Sequence, residues 1–113
     1  MSHPQRHVSE RQVLHSIMDW LAAKHIYAVR MNSGSMVGET NGKRWRIGLH
    51  EAGTADILAF DRDGDLFIPT WIEVKRPNGK QSELQKSFQD KVVSEGHRYI
   101  LAYSIDDLQK AGL

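Results

Sequence analysis

In the stretch WIEVKRPNGKQSELQ, residues 71 to 85, a glutamate and a lysine stand one residue apart inside an apolar run. Alternate side chains of a strand share a face, so Glu73 and Lys75 project together while Ile72 and Val74 project to the other side. As a solvated ion pair they would contribute at most about 1 kcal/mol. A second acid upstream adds a chemical alternative. Asp56, in TADILAF, precedes Asp63-Gly64, which reads as a two-residue hairpin turn. Pairing across that turn sets Asp56 opposite Trp71, diagonal to Glu73 and about 7–8 Å from it. Pro69 has no N–H and can mark a bulge, and a slip of two residues would bring Asp56 closer to Glu73. Two converging acids repel each other unless a cation lies between them. Mg²⁺ uses one or two carboxylates plus water and phosphate oxygens. Lys75 would then face the developing negative charge of a phosphoryl transfer.

The elements that must hold these groups follow from local signals. VSERQVLHSIMDWLAAKH reads as a helix, with Ser9 and Gln12 as a capping box and Val8 with Val13 as a hydrophobic staple. IYAVRMN reads as a strand, SGSMVGETNG as a flexible glycine-rich connection, and KRWRIGLH as a weak second strand pairing back onto the first. ADILAF and FIPTWIEVK are strands joined by the Asp63-Gly64 turn. Ser82 opens a second helix whose stripe is Leu84, Phe88 and Val92 and whose end is Gly96. RYILAYS is a last strand and IDDLQKAG a short closing helix. The order αβ(β)ββαβα predicts an α/β class domain over residues 9–113, a mixed sheet flanked by helices, behind a flexible tail at residues 1–8. Leu58, Phe60 and Trp71 make the acid-bearing face apolar further along, so a helix is expected over it.

Composition narrows the partners. With 113 residues the chain has room for one core, and a net charge of +1 gives no global pull toward a polyanion. Any nucleic-acid surface must come from local clustering. The absence of cysteine excludes disulfides and thiolate metal sites. The start, MSHPQRHVSE, lacks the apolar core of a signal peptide, and no apolar run approaches ~18 residues. A cytoplasmic protein without a membrane anchor is expected.

Asp56, the short hairpin and Glu-x-Lys resemble the core motif of the PD-(D/E)xK nuclease superfamily. More closely, GTADILAF, WIEVKRPNGKQSELQ and EGHRYILAYSIDDL look like the VRR-NUC family, the virus-type replication and repair nucleases. Gly53, Asp56, Glu73, Val74, Lys75, Ser82, Gln85 and Gly96 fall on the family's pattern, with Ala55 where the superfamily name has proline. The resemblance runs from about residue 9 to residue 108. It implies a PD-(D/E)xK-like mixed sheet and a metal site of Asp56, Glu73 and the Val74 carbonyl, with Mg²⁺ or Mn²⁺ as cofactor. It also implies catalytic roles for Asp56, Glu73 and Lys75, and action as a homodimer on branched DNA, including four-way junctions.

Other residues carry two readings each. Gln85 completes a capping box with Ser82, and the resemblance also sets it beside the acids. Glu10 suits the first turn of a helix, and in the family an acid there approaches the metal through water. Arg30 and Asn32, in RMNSG, resemble a recurrent nuclease stretch or are an ordinary strand exit. Lys43, Arg44 and Arg46 surround Trp45, a pattern suited to phosphate contact plus stacking, or equally a solvated strand edge. Arg76, Lys80, Lys86 and Lys91 add positive charge near the second helix. Asp61, Asp63 and Asp65 lack the glycine and final glutamate of a calcium loop and form a turn. No glycine-rich phosphate loop is present, which argues against ATP-driven work. The reading is a metal-dependent, structure-specific DNA endonuclease. Its rivals are a sequence-specific restriction-type nuclease, which would need base-edge contacts, and a catalytically silent DNA-binding module, which would not need Asp, Glu and Lys together. The dimer surfaces the sequence offers are Trp45, the apolar edge after residue 26 and the first helix.

Overall fold

The computed structural model describes residues 8–31, 35–48 and 51–113. Helix α1, Glu10–Ala23, begins where both bonds of the expected capping box form: the Ser9 N–H donates to Gln12 Oε1 and the Gln12 N–H to Ser9 Oγ. Its Val13, Ile17 and Leu21 recur every four residues and are buried. Then come strands β1 (Tyr27–Arg30), β2 (Ser35–Thr40), β3 (Lys43–Gly48), β4 (Ile57–Asp63) and β5 (Leu66–Val74), helix α2 (Glu83–Ser94), strand β6 (Arg98–Ala102) and helix α3 (Ile105–Lys110).

Four strands form one mixed sheet in the order β1-β4-β5-β6, antiparallel except for the parallel β5–β6 pair that α2 connects. One face carries Ile57, Ala59, Ile72, Val74, Ile100 and Ala102, packed with the buried faces of α1 and α3. The opposite face carries Trp71 and Tyr99 against Phe88 and Val92 of α2. The fold is thus mixed α/β, with a mixed sheet between helices. Among the described residues, no helix is long and apolar enough to cross a membrane.

Three expectations need correction. The glycine-rich segment is not a plain connection: β2 pairs with β3 as a separate two-stranded sheet, turning at Asn41 and Gly42 with φ of 54° and 76°. Positive φ at both central residues is what a type I′ turn requires, and Asn-Gly supplies it. β1 therefore pairs not with β3 but with β4, and among the described residues no other helix or strand packs on the β2–β3 hairpin. The β4–β5 turn is centred on Gly64-Asp65, because Asp63 pairs with Leu66 and the positive φ falls on Gly64. The ladder then runs without a bulge through Phe60–Pro69 to Ile57–Ile72. Pro69 is tolerated because β6 pairing begins only at Thr70, leaving β5 a neighbour on one side there. Third, Leu84 is 59% exposed, so the buried stripe of α2 is Phe88 and Val92 alone. The tail expected over residues 1–8 lies, apart from Val8, outside the described residues.

Candidate metal and phosphate site

The corrected register moves Asp56 two residues along β5. One step beyond the Ile57–Ile72 pair, Asp56 stands across from Glu73 rather than Trp71. Its carboxylate is fixed there, because Asp56 Oδ2 accepts from the Val74 N–H at 2.7 Å, while its own carbonyl accepts from the Met31 N–H at 2.7 Å. The backbones of β5 and of the chain leaving β1 therefore both hold it.

Glu73 is 2% exposed. Its Oε1 accepts from Gln85 Nε2 at 2.5 Å, and its Oε2 has no hydrogen-bond partner. Burial first, and the neighbouring Asp56 carboxylate second, push the Glu73 carboxyl up to about 9. Lys75 opposes the shift, and the charge of Glu10 adds weakly to it. Lys75 is half-buried, and its N–H continues the parallel ladder by donating to the Ala102 carbonyl at 2.9 Å. By strand alternation its side chain shares the face of Glu73.

Gln85 satisfies both of its readings at once. Its Oε1 accepts from the Ser82 N–H at 2.8 Å, closing the capping box of α2, while its Nε2 holds Glu73. The start of α2 is thereby tied to the acid on β5. Gly53 brings the chain before Asp56 against this same turn. Its φ is +87°, and a Cβ there would lie 2.3 Å from the Leu84 carbonyl oxygen. Only glycine fits that approach.

The remaining residues fall around this centre unequally. Glu10 is exposed at the first position of α1 and reaches Glu73 only through its charge. Arg30 is exposed on β1, paired with Ile57 next to Asp56. Arg76 is exposed one residue beyond Lys75. Lys43 and Arg44 are exposed on the separate hairpin, where Arg44 pairs with Glu39 and the Trp45 ring covers Gly38. The hairpin also carries Arg46, opposite Val37, and Asn32 lies outside the described residues. Of the expected basic neighbours of α2, Lys91 is occupied by Glu51 at 2.8 Å and Lys86 by Glu83 at 3.4 Å.

Tyr99 and Gln81 are additions that the sequence reading missed. Gln81 Nε2 donates to the Tyr99 hydroxyl at 3.1 Å and to Gln89 Oε1 at 3.0 Å. Burial pushes the Tyr99 hydroxyl up to about 12; the Gln81 bond opposes this, and the charges of Glu73 and Asp56 add to it. Only the parallel β5–β6 pairing, which no local pattern announces, brings Tyr99 beside Trp71 on this face. Among the described residues no three His, Cys, Asp or Glu side chains cluster as a metal set. The donors present are the two carboxylates of Asp56 and Glu73, and oxygen donors with one orphaned buried oxygen fit a hard divalent cation such as Mg²⁺. No protein-family model matches the sequence, and neither a curated protein nor a solved structure matches it.

Proposed function

We propose that the chain is a metal-dependent, structure-specific DNA endonuclease that hydrolyses phosphodiester bonds. One observation carries this reading: Glu73, 2% exposed and with Oε2 unpartnered, is buried across from a second carboxylate. A buried carboxyl with an orphaned oxygen is costly unless protonated or bound to a cation. Asp56, Glu73 and the Val74 carbonyl would hold Mg²⁺ or Mn²⁺, which polarises a scissile phosphate and lowers the pKa of an attacking water.

The chain's own groups have distinct tasks. Asp56 is held in place by the Val74 N–H, which commits Oδ2 and would leave Oδ1 to the ligand. Gln85 fixes the Glu73 carboxyl group through Oε1 and leaves Oε2 to the ligand. Lys75 presents an ammonium on the same face, where it stabilises charge on the transferring phosphoryl group. Arg76, exposed one residue past Lys75, offers a phosphate contact, whereas the register sets Arg30 on the Ile57 face, away from the acids. The branched-DNA preference and the homodimer belong to this same proposal, because paired incisions at a junction need two sites and each chain has one.

The test is incubation with linear, flap and four-way-junction DNA, with and without Mg²⁺ or Mn²⁺, alongside sedimentation. Metal-dependent cutting that favours branched substrates, by a species of twice the chain mass, is expected. Binding without cutting under every metal condition would assign the fold to the silent DNA-binding module instead.

A further inference from the structure

α2 covers only part of the face that bears Asp56 and Glu73. It packs on Trp71 and Tyr99, over β5 and β6, and among the described residues no helix covers the β1–β4 half of that face. The expectation of a helix across Phe60 therefore fails. Alternation and register place Tyr27, Val29, Leu58, Phe60, Arg62 and Phe67 together on this open half. Tyr27 and Phe60 are stacked, with centroids 5.8 Å apart, and Arg62 lies over the Phe67 ring at 5.2 Å. Tyr27 is 70% exposed and Phe67 58%.

We infer that this surface is a stacking platform for a single-stranded nucleic-acid segment leading into the acid pair. The inference rests on the nuclease reading for its direction, but the surface argues its own ligand. Exposed aromatic rings with an interleaved arginine bind unpaired bases by stacking, with little regard to sequence. Charge agrees, because alternation sends Asp61 and Asp63 to the opposite face, where Asp61 is held by Arg98 at 2.9 Å. Among the β1, β4 and β5 residues on the open half, Arg62 is then the one charged side chain, and it is positive. Length agrees as well. From Asp56 to Arg62 the strand rises about 20 Å, room for at most about six nucleotides at the 3.4 Å per base of a stacked strand. Among branched substrates, those with an unpaired tail or flap beside the cut would engage this surface.

The experiment measures binding in EDTA, where no cleavage occurs, by fluorescence anisotropy of a labelled oligo-thymidine and of a blunt duplex. Tyr27→Ala and Phe67→Ala change exposed side chains and leave the core intact. Each should weaken oligo-thymidine binding about tenfold, the scale of one base–aromatic stack, with blunt-duplex affinity unchanged. Tyr27→Phe should bind like the parent, since the ring remains. Wild-type affinity for oligo-thymidine in both alanine variants would overturn the platform. So would a mass that halves on sedimentation in the Tyr27→Ala/Phe67→Ala variant with unchanged oligo-thymidine binding, since the face would then belong to a second copy. Cleavage is scored separately with Mn²⁺ on tailed duplexes. An inactive parent that still loses oligo-thymidine binding in both variants would remove the nuclease reading and keep the platform.

Discussion

On one side of β5, Ile72 and Val74 are wholly buried among Ile17, Leu21 and Leu108; on the other, one residue away, Glu73 is buried almost as deeply as a carboxyl group. The first face is continuous and apolar, and it stabilises the fold in the ordinary way. The second has a small core of Ala55, Phe88 and Val92, a carboxyl group with an orphaned oxygen, and an open aromatic half. Selection for stability alone would set an apolar residue at position 73. The difference teaches that one face holds the sheet together while the other gives up stability to bury a carboxyl group, which the proposed ligand site would explain.

The widest test of that contrast is on activity. Glu73→Ala or Lys75→Ala should lower metal-dependent cleavage by about 10³-fold or more, about 4 kcal/mol of transition-state stabilisation, while circular dichroism stays native. Cleavage at the parent rate by either variant would move the chemistry elsewhere. On the apolar face Ile72→Ala should cost about 3–4 kcal/mol in urea unfolding and so unfold a large share of the molecules. A loss below about 1 kcal/mol would mean that this face is not the main core.

Glu73→Gln sharpens the comparison through pH. The folded-state carboxyl titrates near 9, above its ordinary 4.5, so between these values the native chain holds a proton that the unfolded chain has released. Wild-type stability therefore falls as pH rises through that window, and the glutamine variant is spared this loss. The variant should be more stable by about 3 kcal/mol at pH 7, with the gap near zero at pH 4.5 and widest toward pH 9. A gap that is flat with pH would show Glu73 ionised in the folded chain without metal. Gly53→Ala, against the Leu84 carbonyl, should cost about 2 kcal/mol and loosen Gln85. Leu84→Ala should change stability by no more than about 0.5 kcal/mol, because its side chain is exposed.

What the sequence made legible was what its neighbours in sequence decide. Both capping boxes are set by residues three apart, and both formed with the expected bonds. Glu73 and Lys75 share a face because strand alternation needs no partner. The register across β4 and β5 was off by two, since Asp63-Gly64 and Gly64-Asp65 are competing turn centres and only the backbone chooses. The Asn41-Gly42 signal for β2–β3 was present but was absorbed into a glycine-rich stretch. The β1–β4 and β5–β6 pairings were out of reach because nothing local specifies them. They determine which side chains sit beside the acids, and with that the placement of Tyr99 and of the open aromatic half.

The Gly64 turn has a consequence for how the two acids are brought together. It is the closed end of a hairpin whose ladder zips from Asp63–Leu66 to Ile57–Ile72, and the acids lie one step past the far end, about 24 Å away. The meeting of the two carboxylates therefore depends on the register of every rung before them. A one-residue slip of that register would set Glu73 on the face of Ile17 and Leu21 and Ile72 on the face of Asp56. The most remote residue of the hairpin thus acts as the gauge by which the site is set.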